Sequence, residues 1–375
     1  MASPSDAELR RAYAGRRVLV TGHTGFKGSW LTLWLRELGA EVTGFALEPE
    51  GSPAMFDALG LHETCRHLVG DVRDLAALRA AVDGCHPEFV FHLAAQPLVR
   101  LSYRCPVETL DTNVMGTAKV LEALRLGGRP CAAVIVTSDK CYENRETLWG
   151  YREDEPMGGR DVYSMSKGAA ELVVASYRRS FFPAERDASH GVRVASARAG
   201  NVVGGGDWAE DRIVPDAVRA ITAGRALGVR NPRAVRPWQH VVEPLAGYLL
   251  LGARLAGDDG QRYAEGWNLG PALDRTYTVR EVVDALVTAW GEGGWQDQSE
   301  PGAPHEAALL RLSVEKAAAR LGWHPRWGLQ ATMARTAAWY KAHARGASAA
   351  ELRALSLRQI DEYLSSPAEC ERDAH

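Results

Sequence analysis

The chain has 375 residues, of which 46% are apolar and 24% charged, with a formal net charge of -3. That length supports one large or two modest domains with a sizeable core. The near balance of charge excludes a general nucleic-acid binder and a disordered charged tail.

The opening residues lack the apolar core of a signal peptide, and no stretch is long and apolar enough to span a bilayer, so a cytoplasmic protein is expected. From residue 16 to about 200, short apolar runs alternate with helix-like segments. Residues 17–22, 41–47, 67–71, 89–94, 131–138 and 192–200 read as strands, most of them apolar on both faces, as in a parallel sheet covered by helices. Helical patterns lie between them at roughly 28–38, 74–83, 107–127 and 161–180. This βαβ series predicts an α/β protein with a doubly wound parallel sheet of the Rossmann type over residues 14–200. After residue 200 a Gly-rich polar loop breaks the rhythm. A smaller mixed α/β substrate-binding domain is expected over 201–345, with some segments returning to the first domain, followed by a C-terminal helix and tail at 346–375. Six cysteines, at 65, 85, 105, 131, 141 and 370, form no CxxC pair and no metal-like spacing with histidine; reduced thiols and no bound metal are expected.

The turn after the first strand, "VLVTGHTGFKG", carries Gly22, Gly25 and Gly28 at the opening of a helix. Glycine permits the tight turn and close backbone approach, and the helix N-terminus faces a pyrophosphate, so the segment predicts dinucleotide binding. Glu48 and Glu50 lie just beyond the second strand with no basic residue near them, which favours NAD over NADP. Asp71, after the third strand, could meet the adenine edge or belong to a helix N-cap region.

Ser138 ends the fifth apolar run, and Tyr163 and Lys167, four residues apart, share one helix face. A tyrosine can take a hydroxyl proton as hydride leaves the same carbon, provided that its pKa of about 10 is lowered; a neighbouring ammonium would do that. Only six of the 44 basic residues are lysine: Lys27, Lys119, Lys140, Lys167, Lys316 and Lys341. A lysine inside a motif of this chain therefore suggests chemistry that arginine cannot perform, such as giving up a proton.

The segments "TGHTGFKG", "HLAAQPLV", "TNVMGT", "YSMSK" and "RAGNVVG" together resemble the extended short-chain dehydrogenase/reductase superfamily, nucleotide-sugar branch, over about residues 14 to 345. The resemblance implies a cofactor site of Gly22, Thr24, Gly25, Phe26, Gly28, Asp71, Val72, Leu93, Ala94, Ala95, Tyr163 and Lys167. It implies that Gln96, Asn201, Arg212, Arg236 and His240 meet the substrate, with the arginine forks suited to a diphosphate. Asp139 and Lys140, beside Ser138, fit a sugar 4,6-dehydratase, which needs an acid and a base that an epimerase does not. Thymidine-linked dehydratases carry Asp-Glu here; Asp-Lys resembles the cytidine-linked group, so CDP-glucose is the implied substrate. The implied roles are Tyr163 as base at the 4-hydroxyl, Lys167 tuning it, Ser138 holding the oxygen, Asp139 as acid at C6 and Lys140 acting at C5. Lys140 can serve as a base only if burial and a neighbouring positive charge lower its pKa. Another nucleotide-sugar dehydratase, a 4-epimerase and a non-catalytic NAD-sensing protein stay open as alternatives. The superfamily also implies a homodimer through the helices at 107–127 and 161–180, with Val120, Leu121, Leu124, Leu172, Val173 and Tyr177 at the contact or facing the sheet.

Overall fold

The computed structural model of the chain describes residues 5–49, 51, 53–273, 276–299 and 309–367. Glu50, Cys370 and the end of the expected tail lie outside the described residues. Seven parallel strands form the central sheet: β1 (Arg17–Thr21), β2 (Glu41–Ala46), β3 (Arg66–Val69), β4 (Phe89–His92), β5 (Cys131–Val136), β6 (Val192–Ala199) and β7 (Gly266–Leu269). Their order is β7-β6-β5-β4-β1-β2-β3, with every pair parallel. The main helices are α1 (Asp6–Tyr13), α2 (Phe26–Glu37), α3 (Leu75–Cys85), α4 (Gly116–Gly127), α5 (Val162–Ser180), α6 (Ile213–Thr222), α7 (Val242–Ala256), α8 (Val279–Trp290), α9 (Leu329–Ala344) and α10 (Ala349–Ser365).

Alternation along each strand divides the side chains between two cores. Val18 and Val20, Phe89 and Phe91, and Ala132 and Val134 pack with α1, α2, α7 and α10 on one face. Leu19, Val90, Ala133 and Ile135 pack with α3, α4 and α5 on the other. Both faces are dry, which explains the nearly continuous apolar strands. The smaller unit is built from three two-stranded pairs, at 201–203 with 238–240, 227–229 with 295–297, and 235–236 with 277–278, packed with α6, α8 and α9. Among the described residues no helix is long and apolar enough to cross a membrane.

Two differences from the sequence reading have physical causes, and one open alternative is decided. β7 comes from a stretch that reads as Gly-rich loop; it joins the sheet edge because Trp267 and Leu269 bury completely when paired with β6. The expected helix at 107–127 is broken into Pro106–Leu110, a wider π-type turn at Asp111–Met115, and α4. Inside that turn the Asn113 side chain accepts from the Gln96 amide and donates to the Gln96 carbonyl and to Ser166, pinning the helix to the loop after β4. Val120, Leu121 and Leu124 face the sheet, at 0–3% exposure. They belong to the core and leave the helix surface to other residues.

Strand order reverses between β1 and β4, which opens a crevice at the carboxyl ends of these strands. Gly22 turns there with φ +73, and a Cβ on it would lie 2.6 Å from the Ala94 amide nitrogen. The turn after β1 is thus pressed onto residues 93–95, and only glycine permits it.

Candidate active site

β5 stops at Val136, two residues before Ser138. Ser138 is extended and caps a single 3-10 turn, Asp139–Cys141, by accepting from the Lys140 amide at 3.3 Å. Its hydroxyl donates to Asp139 Oδ1 at 2.9 Å, and it lies near enough to the Tyr163 phenol to act on its ionisation. Asp139 is fully buried, and its Oδ2 has no partner among the described residues. Lys140 is partly exposed; its Nζ lies 3.4 Å from Asp139 Oδ1 and donates to Asn201 Oδ1 at 3.3 Å. A hydroxyl, a carboxylate, an amine and a phenol therefore meet at the end of one strand.

The phenol arrives on α5, whose first turn is fixed by Asp161 accepting from the Ser164 amide at 2.9 Å and its hydroxyl at 2.6 Å. Such a cap stabilises a helix by about 1 kcal/mol. One turn later, Lys167 follows Tyr163 on the same face. α5 approaches the catalytic turn closely at Gly168, where a Cβ would fall 2.7 Å from the Gly158 carbonyl and 3.0 Å from that of Cys141. Burial pushes Tyr163 up to about 12, only partly offset by the nearby Ser138 hydroxyl and by Arg212. That is opposite in direction to the lowering expected from the lysine beside it. Burial pushes Lys167 down to about 8, against the opposing pull of Glu171.

On the cofactor side, α2 begins at Phe26 with Gly25 as its cap, no side-chain cap and no acidic residue in its first turn. Its amides are open to an anion. The Thr24 hydroxyl donates to the Leu47 carbonyl at 3.0 Å, tying the Gly-rich turn to the end of β2. Val72 is buried, and Leu93, Ala94 and Ala95 line the opposite edge of the crevice. Lys27 extends from the first turn of α2 toward the catalytic residues. Burial, with Lys167 and Arg212 as like charges, pushes it down to about 7 against the attraction of Asp139 and Asp207. Two lysines within electrostatic reach of each other and an uncapped helix start suit a bound dinucleotide diphosphate, so these residues fit NAD.

Glu48 is exposed beyond β2, 3.7 Å from His67 Nε2. His67 in turn is hydrogen-bonded to the buried His23 at 2.7 Å. Asp71 accepts from the Arg73 amide and guanidinium at 2.6–2.8 Å, which holds its carboxyl below the usual range. It is not the cap of α3; Asp74 is.

On the substrate side, Arg212 pairs with Asp207 at 2.8 Å and lies near enough to Tyr163 to act on its ionisation. Arg236 sits on the two-residue strand Val235–Arg236, its Nη1 donating to the Val235 carbonyl at 2.9 Å. The Gln96 side chain is committed within the protein, donating to Thr109 on the helix Pro106–Leu110 and accepting from the Leu98 amide. His240 is not brought to the crevice. It is fully buried between the rings of Trp30 and Trp327, 6.1 and 5.1 Å away, where burial keeps it neutral.

Residues 19–336 match the sequence family described as GDP-mannose 4,6 dehydratase. The chain belongs to this family. It is 50% identical to the CDP-glucose 4,6-dehydratase of Salmonella typhimurium over 355 residues, covering 94% of this chain and 98% of that one. The dTDP-glucose 4,6-dehydratase of Streptomyces venezuelae, solved with NAD bound, matches at a TM-score of 0.75 and 25% identity, over 88% of this chain and 98% of the other. The UDP-glucose 4-epimerase of Thermus thermophilus, in complex with NAD, matches at a TM-score of 0.73 and 26% identity, over 87% and 99%. These relatives place the chain in the nucleotide-sugar branch of the extended short-chain dehydrogenase/reductase superfamily.

Two residues of the site escaped the sequence reading. Lys27 carried a usable signal, being one of six lysines and the one that lies inside the Gly-rich motif. Asn113 lies in "TNVMGT", but nothing in its spacing reveals that it joins the Gln96 loop to Ser166 on α5.

Proposed function

We propose that the chain is an NAD-dependent CDP-glucose 4,6-dehydratase, a hydro-lyase that forms CDP-4-dehydro-6-deoxy-D-glucose in deoxysugar biosynthesis. One observation carries the reading: Ser138 donates to Asp139, with Lys140 on the same turn, and both Ser138 and Asp139 lie near enough to Tyr163 to act on its ionisation. The oxidation group and the acid-amine pair thus stand together at the end of β5, where both can serve one sugar ring. The 50% identity to a CDP-glucose 4,6-dehydratase over almost the whole chain supports the cytidine-linked sugar.

Gly22, Thr24, Gly25, Phe26, Gly28, Val72 and residues 93–95 would hold NAD, with Lys27 and Lys167 beside its charged groups. When bound, NAD supplies the acceptor for the C4 hydride, its return to C6, and a positive ring charge that favours tyrosinate. Tyr163 takes the proton of the 4-hydroxyl while Ser138 holds that oxygen. The resulting 4-ketone makes the C5 proton acidic; Lys140 removes it and later returns a proton to C5, which completes the 4-keto-6-deoxy sugar. Asp139 delivers a proton to the departing 6-hydroxyl, which leaves as water. Asn201, Arg212 and Arg236, on the smaller unit at 201–345, hold the nucleotide diphosphate.

The test is incubation with NAD and each of CDP-, dTDP-, UDP- and GDP-glucose, read by mass spectrometry. CDP-glucose is expected to lose one water at least about tenfold faster than the others, a difference of about 1.4 kcal/mol. A 4-epimer of unchanged mass, or preference for another base, would replace the proposal.

We also place the protein in the cytoplasm as a homodimer. Met165 and Leu172, seven residues apart on α5, and Val107 and Met115 on the neighbouring helical run are exposed apolar side chains that support such a contact. Sedimentation should give twice the chain mass, and Leu172→Asp should shift it toward the monomer; a wild-type monomer rejects the dimer.

A further inference from the structure

We infer that the buried Arg198–Glu171 ion pair is a positioning device: it sets the Asp139–Lys140 turn against the helix of Tyr163 and Lys167, and so governs elimination at C5 and C6 separately from oxidation at C4. The inference rests on the dehydratase reading above. Glu171 follows Tyr163 and Lys167 at successive four-residue steps on α5, so all three project from one side of the helix. Glu171 Oε1 accepts the Thr137 hydroxyl at 2.5 Å. Its Oε2 accepts from Ser196 at 2.7 Å and from Arg198 Nη2 at 2.9 Å. Arg198 Nη1 donates onward to the Tyr142 hydroxyl at 2.6 Å and to the Glu153 carbonyl at 3.0 Å.

Thr137 and Tyr142 are the residues on either side of the segment 138–141. One ion pair therefore grips the catalytic turn at both ends, from β6 through Arg198 and from α5 through Glu171. The far end is held again: the Tyr142 hydroxyl donates to Asn268 Oδ1 at 2.7 Å on β7, and its ring stacks on Tyr151 at 5.3 Å. Both charged side chains are at most 5% exposed, so water does not dilute their attraction. Burial alone would push the Glu171 carboxyl up, but Arg198 and the two hydroxyls outweigh it and keep it below its usual range. The guanidinium fork fixes direction as well as distance, which a pair of packed apolar side chains would not do.

A merely stabilising pair would, when weakened, lower every partial reaction together. Loosening the Tyr142 end would spoil the aim of Asp139 and Lys140, while Ser138, held beside Thr137 and its bond to Glu171, and Tyr163 on its capped helix keep their places. Tyr142→Phe tests this, because it keeps the ring stack and removes only the hydroxyl bonds; Arg198→Lys keeps the charge and removes the fork. With CDP-glucose and NAD, single-turnover absorbance should show C4 oxidation within about twofold of wild type. Water loss and C5 deuterium exchange should fall by about tenfold to a hundredfold, as expected for small misplacements of reacting groups. In the free protein, amides 138–142 should exchange with deuterated water faster than in wild type. Unchanged water loss in Tyr142→Phe, or oxidation and elimination falling in parallel, overturns the inference while leaving the dehydratase reading intact. A wild-type protein that dehydrates no CDP-glucose overturns both.

Discussion

Lys140→Met is expected to oxidise CDP-glucose at C4 and then stall, with overall dehydration down roughly 10²–10⁴-fold, the usual span for removing a positioned acid or base. Methionine approximates the length of the lysine stem and cannot take a proton. The neighbouring contacts argue that the loss is chemical. Lys140 spans only Asp139 at 3.4 Å and Asn201 at 3.3 Å, both at the site, and is partly exposed, so its removal deletes little packing. The measurement is C5 proton exchange with deuterated water, followed beside the absorbance of reduced cofactor. Exchange as fast as in wild type would remove Lys140 from the C5 step. Lys140 would then be a partner that keeps Asp139 and Asn201 in place.

Tyr163→Phe should lose oxidation itself, and with it every later step, by a comparable roughly 10²–10⁴-fold factor. The Phe side chain keeps the ring in its buried position, so Tm should change little. The pH profile carries a second readout. Because burial pushes Tyr163 up to about 12, the fraction able to take a proton grows as pH rises through the neutral range. Lys167, pushed down to about 8, keeps its ammonium below that pH and loses it above. The wild-type oxidation rate should therefore climb with pH through the neutral range, and a flattening near 8 would mark the loss of the Lys167 charge. Tyr163→Phe should abolish the slope. A variant retaining the same slope, or losing less than about tenfold in rate, would assign the proton to another group.

Much of this molecule follows from local rules. Apolar runs at 131–136 and 192–199 mark the strands, while Gly22, Gly25 and Gly28 mark a turn into a helix. Placing Ser138 just past β5 and Tyr163 and Lys167 in the first turns of α5 needs nothing beyond strand ends and helical spacing. Even the strand limits, read one or two residues too long, err toward the crevice, because Thr137, Ser138, Leu93 and Ala94 continue the apolar or extended pattern after pairing stops.

Other features exist only through contacts between distant parts of the chain. Tyr142 reaches Asn268 across 126 residues, and Arg198 reaches Tyr142 across 56. His240 looks like a ligand in a basic turn, yet packing encloses it between two tryptophans. Val120, Leu121 and Leu124 have the spacing of a dimer face and of a core face alike; only the sheet beneath them decides for the core. The amino-acid order determined where strands and helices form and which chemical groups stand at their ends, since those depend on neighbours a few residues apart. Tertiary structure alone decided which ends converge, which polar groups are buried and how far burial moves their ionisation, since each depends on surroundings supplied by residues far away in sequence.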